Sequence, residues 1–314
     1  MKQMPMENPS IAKVRKDRAW FRRDWSLYLM AAPGLVFFLV LSYIPMLFLI
    51  VAFQDFKIGL GVWGSPFVGF ENFTQLFNDF MFPQVLKNTL ILNLLKIFIC
   101  FPVPIMLAIC FNEMRPSRYK GTLQSLVYLP HFLSWIIIYG IMNSLFNTSS
   151  GLVNQLLEAL GQQPVAFLSS SSLYRPIMVI SEIWKEAGWS SIIYIAALAG
   201  ISPELYEAAV IDGANKWRRI WHISLPGIRD TMVILFVLST GSLLSNSFEQ
   251  VYVTMNSAVQ DVAEIIPTYV YDKGLVNFKI SYATTVGLFQ SVIGCVLVIA
   301  SNMVAKKFGG NTLW

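Results

Sequence analysis

The sequence predicts an all-α integral membrane protein that crosses the bilayer six times. Of its 314 residues, 55% are hydrophobic and only 13% are charged, whereas about a quarter of the residues of an average soluble domain carry a charge. Six apolar runs reach the length of roughly 20 residues that a helix needs to cross a bilayer. These runs lie at about 27–53, 88–111, 123–146, 177–200, 231–255 and 282–304.

The distribution of positive charge predicts the orientation of these spans. Sixteen of the 23 Lys and Arg residues fall in four segments, with seven in 1–26, three in 112–122, four in 201–230 and two at the C-terminal end. Because cytoplasmic loops carry an excess of Lys and Arg, both termini are expected in the cytoplasm. We therefore expect a basic cytoplasmic segment at 1–26 and a transmembrane domain at 27–314.

A polar segment at 202–229 interrupts the apolar runs and predicts a helix–turn–helix. Ser202 is a good N-cap residue for the first helix. Gly213 stands at a natural end of that helix, and Asn215 can cap the second one. We expect Pro226 to stop the second helix. Between two membrane spans, such a corner is typical of a docking site for another protein.

This corner resembles the "EAA" loop of permease subunits from binding-protein-dependent ABC importers. The pattern runs over about twenty positions with fixed spacing, and Ile220 stands where the family often carries Phe. The matching residues are Glu207, Ala208, Ala209, Asp212, Gly213, Ala214, Ile223, Leu225 and Pro226. The alternative is an amphipathic surface helix pair that has no partner.

Looser motifs extend the resemblance over nearly the whole chain. The stretches GSPFVGFENF (64–73), YLPHFLSW (128–135), FEQV (248–251) and the closing NTLW are similar to the permease branch that handles complex oligosaccharides. The resemblance implies the type I importer fold in a bacterial inner membrane, with 202–229 as a cytoplasmic coupling loop between spans four and five.

The resemblance also implies the partners. These are a second permease subunit in a heterodimer, two cytoplasmic ATPase subunits and an extracytoplasmic solute-binding protein. ATP and Mg²⁺ would be bound by the ATPase subunits, and this chain would bind no cofactor or metal. Its function would be to form the path of an oligosaccharide or other complex sugar and to couple to the ATPase through Glu207–Pro226.

Catalytic motifs are missing from the sequence, which predicts a non-catalytic subunit. It contains no GxxxxGK[ST] phosphate loop, no HExxH and no GxSxG. Its two histidines, His131 and His222, have no carboxylate or second histidine at ligand spacing in the sequence. The basic residues follow membrane topology, so no nucleic-acid partner is expected.

Charged residues within the apolar runs are candidates for the substrate path, because a charge at the bilayer centre costs about 2.5–3.5 kcal/mol on insertion scales. Three of them, together with Trp189, share one face of span four. The candidates are Lys96, Glu182, Lys185, Glu186, Trp189, Asn246, Glu249 and Gln250. Acids, amides and Trp suit a hydroxyl-rich ligand. The alternative is structural ion pairing, between Glu182 and Lys185 and between Glu249 and a lysine.

A different class of function would use the same charges. Lys185, Glu186 and Glu249 could relay an ion or proton in a secondary transporter or channel that works without an ATPase. The docking loop and the lack of a repeated pair of broken helices argue against it. The sequence leaves open whether the saccharide is acidic or neutral and which protein is the second permease.

Overall fold

The structure is a computed structural model that describes residues 25–307. Within that range it is helical and contains no strand, apart from one isolated bridge between Gln54 and Phe67. The first half contains α1 (Trp25–Phe53), α2 (Gly61–Gly64), α3 (Glu71–Asn78), α4 (Phe82–Glu113), α5 (Arg118–Phe132), α6 (Trp135–Phe146) and α7 (Leu152–Ala159). The second half contains α8 (Ser171–Ala199), α9 (Pro203–Ile211), α10 (Lys216–Gly227), α11 (Arg229–Gly241), α12 (Phe248–Thr254), α13 (Gln260–Ala263), α14 (Ile266–Tyr271) and α15 (Ile280–Lys307).

The described chain divides into two compact units, which meet between Ile50 and Val51. The described part of the first unit is the stretch of α1 from Trp25 to Ile50. It carries Pro33, and it passes through a π-helical stretch at Leu39–Tyr43. The predicted basic segment at 1–26 and the closing NTLW lie almost entirely outside the described residues, so what was predicted for them stays a prediction.

Helix length and composition make the chain a multi-pass membrane protein. Three helices (α1, α4 and α15) are long and apolar enough to cross a membrane alone. Three further pairs of helices reach this length and apolarity only together, and each pair is bent by more than 40° at a short break. The described residues thus hold three clear spans, and up to six if each bent pair is one span.

The third predicted run, 123–146, is not one straight span. It forms α5 and α6, which are bent by 103°. The break follows Pro130, and the extended residue Leu133 separates the two helices. Ser134 then caps α6 by accepting a hydrogen bond from the amide of Ile137 at 3.4 Å. A proline followed by a capping serine favours such a break.

The fifth predicted run, 231–255, is also broken. Helix α11 ends at Gly241 and α12 begins only at Phe248. The residues between them are rich in serine, and their side chains bond to nearby backbone carbonyls; Ser242 Oγ, for example, donates to the Ser239 carbonyl at 3.2 Å. Ser247, the last of them, has a φ of 75°. Such local hydrogen bonds compete with a continuous helix.

Helices α8 and α5 approach each other closely at Gly188 of α8. A Cβ added at Gly188 would overlap the carbonyl oxygen of Val127, which is a backbone atom and cannot move aside alone. Gly140, in α6, has no heavy atom within 4 Å of the position that its Cβ would take. The two glycines therefore form a matched pair for testing helix packing.

We expect Gly188→Ala to lower the thermal midpoint of the purified protein, because α5 and α8 would be pushed apart. Overpacking of this kind costs about 1–3 kcal/mol. The control Gly140→Ala should leave the midpoint equal or slightly higher, since alanine favours a helix. Size-exclusion chromatography of detergent-solubilised protein after heating measures both. Equal midpoints for the two variants would show that the contact at Gly188 is loose.

Candidate functional site

A cavity of about 500 Å³ lies among α4, α6, α8, α11 and α12. Its lining mixes carboxylates, amides and aromatic rings. Six of the eight predicted path residues line it, and these are Lys96, Glu182, Glu186, Asn246, Glu249 and Gln250. The structure thus brings together residues of α4, α8 and α12, and Asn246 from the turn before α12, which are far apart in the sequence.

Lys96 is buried in this wall and is held by three acceptors. Its Nζ lies 3.1 Å from Glu182 Oε2 and 2.7 Å from Ser247 Oγ. It also donates to Gln250 Oε1. Gln250 Nε2 in turn donates to the Met178 carbonyl at 2.8 Å. This network joins α4, α8 and α12. All three hydrogen-bond donors of the Lys96 ammonium group are used within it, so none is left for a ligand.

The ion pairs differ from the structural alternative that the sequence suggested. Glu182 pairs with Lys96 and not with Lys185. Lys185 Nζ instead lies 3.0 Å from Glu186 Oε1 and donates to the His131 carbonyl at 2.8 Å. Glu249 is exposed in the cavity and forms no ion pair with any residue in the range 25–307.

Lys185 and Trp189 lie behind the cavity wall, at the bend between α5 and α6. The indole ring of Trp189 stacks on the imidazole of His131, with ring centroids 4.5 Å apart and planes 1° from parallel. His131 Nδ1 lies 2.8 Å from Glu186 Oε2. These contacts hold the Glu186 carboxylate in position and tie the bend to α8.

The carboxylate beside His131 was missed from the sequence, because Glu186 is 55 residues away and only near neighbours were considered. The sequence also missed the aromatic and small polar lining residues. Among these are Asn93, Phe101, Trp135, Tyr194, Ser247 and Phe248. Aromatic residues beside the predicted polar ones, such as Phe248 next to Glu249, were the signal that could have found them. Together they offer hydrogen bonds to hydroxyls and flat apolar surfaces to ring C–H groups.

The polar segment at 202–229 forms the helix–turn–helix that its sequence predicts. Helix α9 ends at Ile211, and Gly213 follows two residues later with a φ of 76°. The Gly213 amide donates to the Val210 carbonyl at 3.1 Å and the Ala214 amide to the Ala209 carbonyl at 2.8 Å, which is the pattern of a Schellman motif. Asn215 Oδ1 then accepts from the Arg218 amide at 2.9 Å and caps α10.

Pro226 does not stop α10, which continues to Gly227 before the chain bends by 59° into α11. A π-helical turn at Ile220–Ser224 precedes the proline. In this turn the Leu225 amide bonds to the Ile220 carbonyl, one residue further back than in an α-helix. The ladder of hydrogen bonds is therefore already shifted where Pro226 lacks an amide hydrogen.

The corner between α9 and α10 presents both acidic and apolar side chains to solvent. Glu207 is exposed, and Ile211 and Trp217 are 86% and 70% exposed. On the inner side, Arg219 Nη2 lies 3.9 Å from Glu113 Oε2 at the end of α4. Exposed apolar residues on a polar helical corner are typical of an interaction site.

Comparison with known proteins places these features in a family. Residues 88–309 match the family described as binding-protein-dependent transport system inner membrane component. Protein LplB of Bacillus subtilis (strain 168) is 44% identical over 290 residues, which cover 92% of this chain and 91% of that protein. The polygalacturonan/rhamnogalacturonan transport system permease protein YteP of the same organism is 44% identical over 283 residues, covering 90% and 88%.

Solved structures show the same fold. A chain in the crystal structure of a bacterial alginate ABC transporter, in complex with an alginate pentasaccharide-bound periplasmic protein, superposes with a TM-score of 0.86 at 36% sequence identity. The match covers 95% of this chain and all of that chain.

Proposed function

We propose, because this chain belongs to the family of binding-protein-dependent transport system inner membrane components, that it forms one wall of the path by which an oligosaccharide enters the cell. The cavity among α4, α8 and α12 is the observation that carries this proposal, since it combines polar groups and aromatic rings within the spans.

Family membership decides between the two classes of transporter that the sequence allowed. The chain is a non-catalytic, membrane-spanning permease subunit of an ABC importer for sugars, as its homologues are. It has the all-helical fold of type I importer permeases. An ion-coupled transporter that works without an ATPase is not supported.

The chemistry of the cavity wall favours a saccharide. Glu249 and Asn246 can bond to hydroxyls, and Phe248 and Trp135 offer ring faces. The names of two similar proteins mention polysaccharides, polygalacturonan/rhamnogalacturonan for one and alginate for the other. The eight predicted path residues therefore divide by role: six contact the substrate path, while Lys185 and Trp189 support Glu186 from behind.

The charge of the wall bears on whether the saccharide is acidic. Lys96 is already paired with Glu182, and Lys185 is paired with Glu186. An acidic saccharide would have to displace a glutamate or use cations of the second permease. We propose that this wall binds the hydroxyl groups of the substrate and that any carboxylate is bound elsewhere in the complex.

We propose that the corner between α9 and α10 is the coupling loop. Glu207 would make the polar contact with an ATPase subunit, and Ala208 and Ala209 would allow close approach. Closure of two ATPase subunits around ATP and Mg²⁺ would push this corner and shift the cavity between inward-open and outward-open states. Glu113 and Arg219 connect the corner to α4, which carries Lys96.

The proposed assembly also includes a second permease and a solute-binding protein. A second permease would supply the opposite wall of the path, and an extracytoplasmic solute-binding protein would deliver the substrate. The chain would lie in a bacterial inner membrane with both termini in the cytoplasm, as its basic segments indicate.

A pull-down from gently solubilised membranes tests the coupling proposal. We expect the wild-type chain to bring down an ATPase and a second permease, and Glu207→Arg to lose the ATPase. The control is Glu158→Arg, which makes the same charge change at an exposed position of α7, outside the corner between α9 and α10. Glu158→Arg should retain both partners.

A wild-type chain recovered alone would contradict the proposed assembly, and a Glu207→Arg chain that keeps the ATPase would contradict the role of Glu207.

The purified complex is used for a second experiment, which tests the substrate. Neutral and uronic-acid oligosaccharides are compared as stimulators of ATP hydrolysis in the presence of the binding protein. Stimulation by neither would contradict the saccharide proposal.

A further inference from the structure

The segment between α1 and α4, residues 54–81, buries two polar side chains and exposes several large apolar ones. Gln54 and Ser65 are buried. Gln54 Nε2 donates to the Val62 carbonyl at 3.0 Å, and Ser65 Oγ donates to the Gly61 carbonyl at 2.6 Å. These two polar side chains are therefore turned inward, where each donates a hydrogen bond to the backbone of the segment itself.

The outward side of the same segment is aromatic and aliphatic. Trp63 is 91% exposed and Phe80 is 95% exposed. Leu60, Phe67 and Phe70 are also exposed. No charged residue occurs from position 58 to position 70. In a loop surrounded by water this arrangement would be the reverse of normal packing.

The fold of the segment holds this surface in place. The Val68 amide donates to the Phe53 carbonyl at 2.9 Å, which closes residues 54–68 into a hairpin-like loop. Asn72 Nδ2 donates to the carbonyls of Ala52 and Gln54, at 2.9 and 3.0 Å. These hydrogen bonds fix the conformation of the loop, and with it the apolar surface that the loop exposes.

Asp79 fixes the other end of the segment. Its Oδ2 accepts hydrogen bonds from Tyr269 and Tyr282, at 2.6 and 2.7 Å. Burial alone would raise the pKa of Asp79, but these hydroxyls, the Met81 amide and the charge of Lys273 together hold that pKa below its usual value. The segment is therefore anchored at both ends.

Chain connectivity identifies what covers the apolar surface. The segment follows directly on Phe53, the last residue of one clear span, and ends directly before Phe82, the first residue of another. Both ends of the segment therefore lie at the level where these spans leave the bilayer. Trp and other aromatic side chains concentrate at that interface, where apolar rings contact the acyl boundary.

We propose that residues 54–81 form a lipid-binding surface that lies in the bilayer interface, with Trp63, Phe67, Phe70 and Phe80 inserted among the lipid headgroups. The partner is the lipid bilayer itself. This inference depends on the membrane spans and holds whatever the transported substrate is. The surface would fix the level of α4, and with it the level of Lys96, relative to the membrane.

Spin labels in the assembled importer test this proposal. The background has Cys100, Cys110 and Cys295 replaced by Ser, and the complex is reconstituted with its partner subunits in lipid nanodiscs. Labels are attached to Trp63→Cys and Phe80→Cys, and to the control Gln75→Cys, an exposed polar position in α3. Collision rates with oxygen, which partitions into lipid, are compared with those of a water-soluble nickel chelate.

We expect oxygen to collide more often than the nickel chelate at positions 63 and 80, and the order to reverse at position 75. Free access of the nickel chelate at 63 and 80 would overturn the proposal, because the surface would face water. Exclusion of both reagents there would also overturn it, because another protein would then cover the surface. If Trp63→Cys does not accumulate, Leu60→Cys serves in its place.

Discussion

Gly213→Pro is expected to abolish substrate uptake while the protein still inserts into the membrane. Gly213 has a φ of 76°, whereas proline is restricted to about −65°. The change would also remove the amide that donates to the Val210 carbonyl. The corner between α9 and α10 would lose its shape, and the ATPase could no longer be engaged.

The matched control for this position is Gly213→Asn, since Asn tolerates a positive φ better than other residues with a side chain. No heavy atom lies within 4 Å of the position that a Cβ would take, so the asparagine side chain has space. We expect Gly213→Asn to keep most of the uptake. Uptake and ATPase binding are measured together with the amount of protein in the membrane. Normal uptake by Gly213→Pro would show that the shape of this corner does not matter for coupling.

Among the single substitutions proposed for stability, Lys96→Met is expected to lower the free energy of unfolding most. It would leave the Glu182 carboxylate in the cavity wall without its cation, and the Gln250 and Ser247 oxygens without their donor. Removal of one partner from a buried ion pair costs about 3–5 kcal/mol. The measurement is the thermal midpoint in detergent, by the same chromatographic assay as for Gly188.

Two further variants show whether the ion pair is the cause. Lys96→Met combined with Glu182→Leu removes both charges, and we expect it to recover most of the stability, because apolar replacement of a whole buried pair is often neutral. Lys57→Met removes a lysine whose side chain is 58% exposed and which lies 3.6 Å from Asp55; it should change little. A double variant as unstable as Lys96→Met would mean that the lysine acts through Ser247 and Gln250 instead.

Local features could be predicted from the residues alone. Apolar runs predicted the spans because a bilayer requires about 20 apolar residues in a row. The turn within 202–229 was predicted because its signals act over a few residues: Ser202 at the N-cap position, Gly213 just after the first helix, and Asn215 as the cap of the second. The predicted stop at Pro226 was wrong, because α10 continues to Gly227. The family pattern lies in the same short stretch.

Breaks within the spans were harder to predict. At the bend after Pro130 and at the non-helical turn before Phe248, local hydrogen bonds of side chains replace those of a continuous helix. The apolar runs of the sequence continue through both places. The length of an apolar run and its mean hydropathy are properties of many residues taken together. They identify the crossing segment but not the point at which its helix stops.

The composition of the cavity depended on contacts between distant residues. Lys96 meets Glu182 across 86 positions, and His131 meets Glu186 across 55. Spacing along one helix placed Glu182 and Lys185 on a common face and suggested that they pair. Helix packing instead gave Glu182 a partner on another helix, Lys96, and left Lys185 to pair with its sequence neighbour Glu186, because burial makes a close and fully hydrogen-bonded arrangement necessary for a charge. The pairs Lys96–Glu182 and His131–Glu186 are decided by the tertiary structure, since no short stretch of sequence contains both partners of either pair.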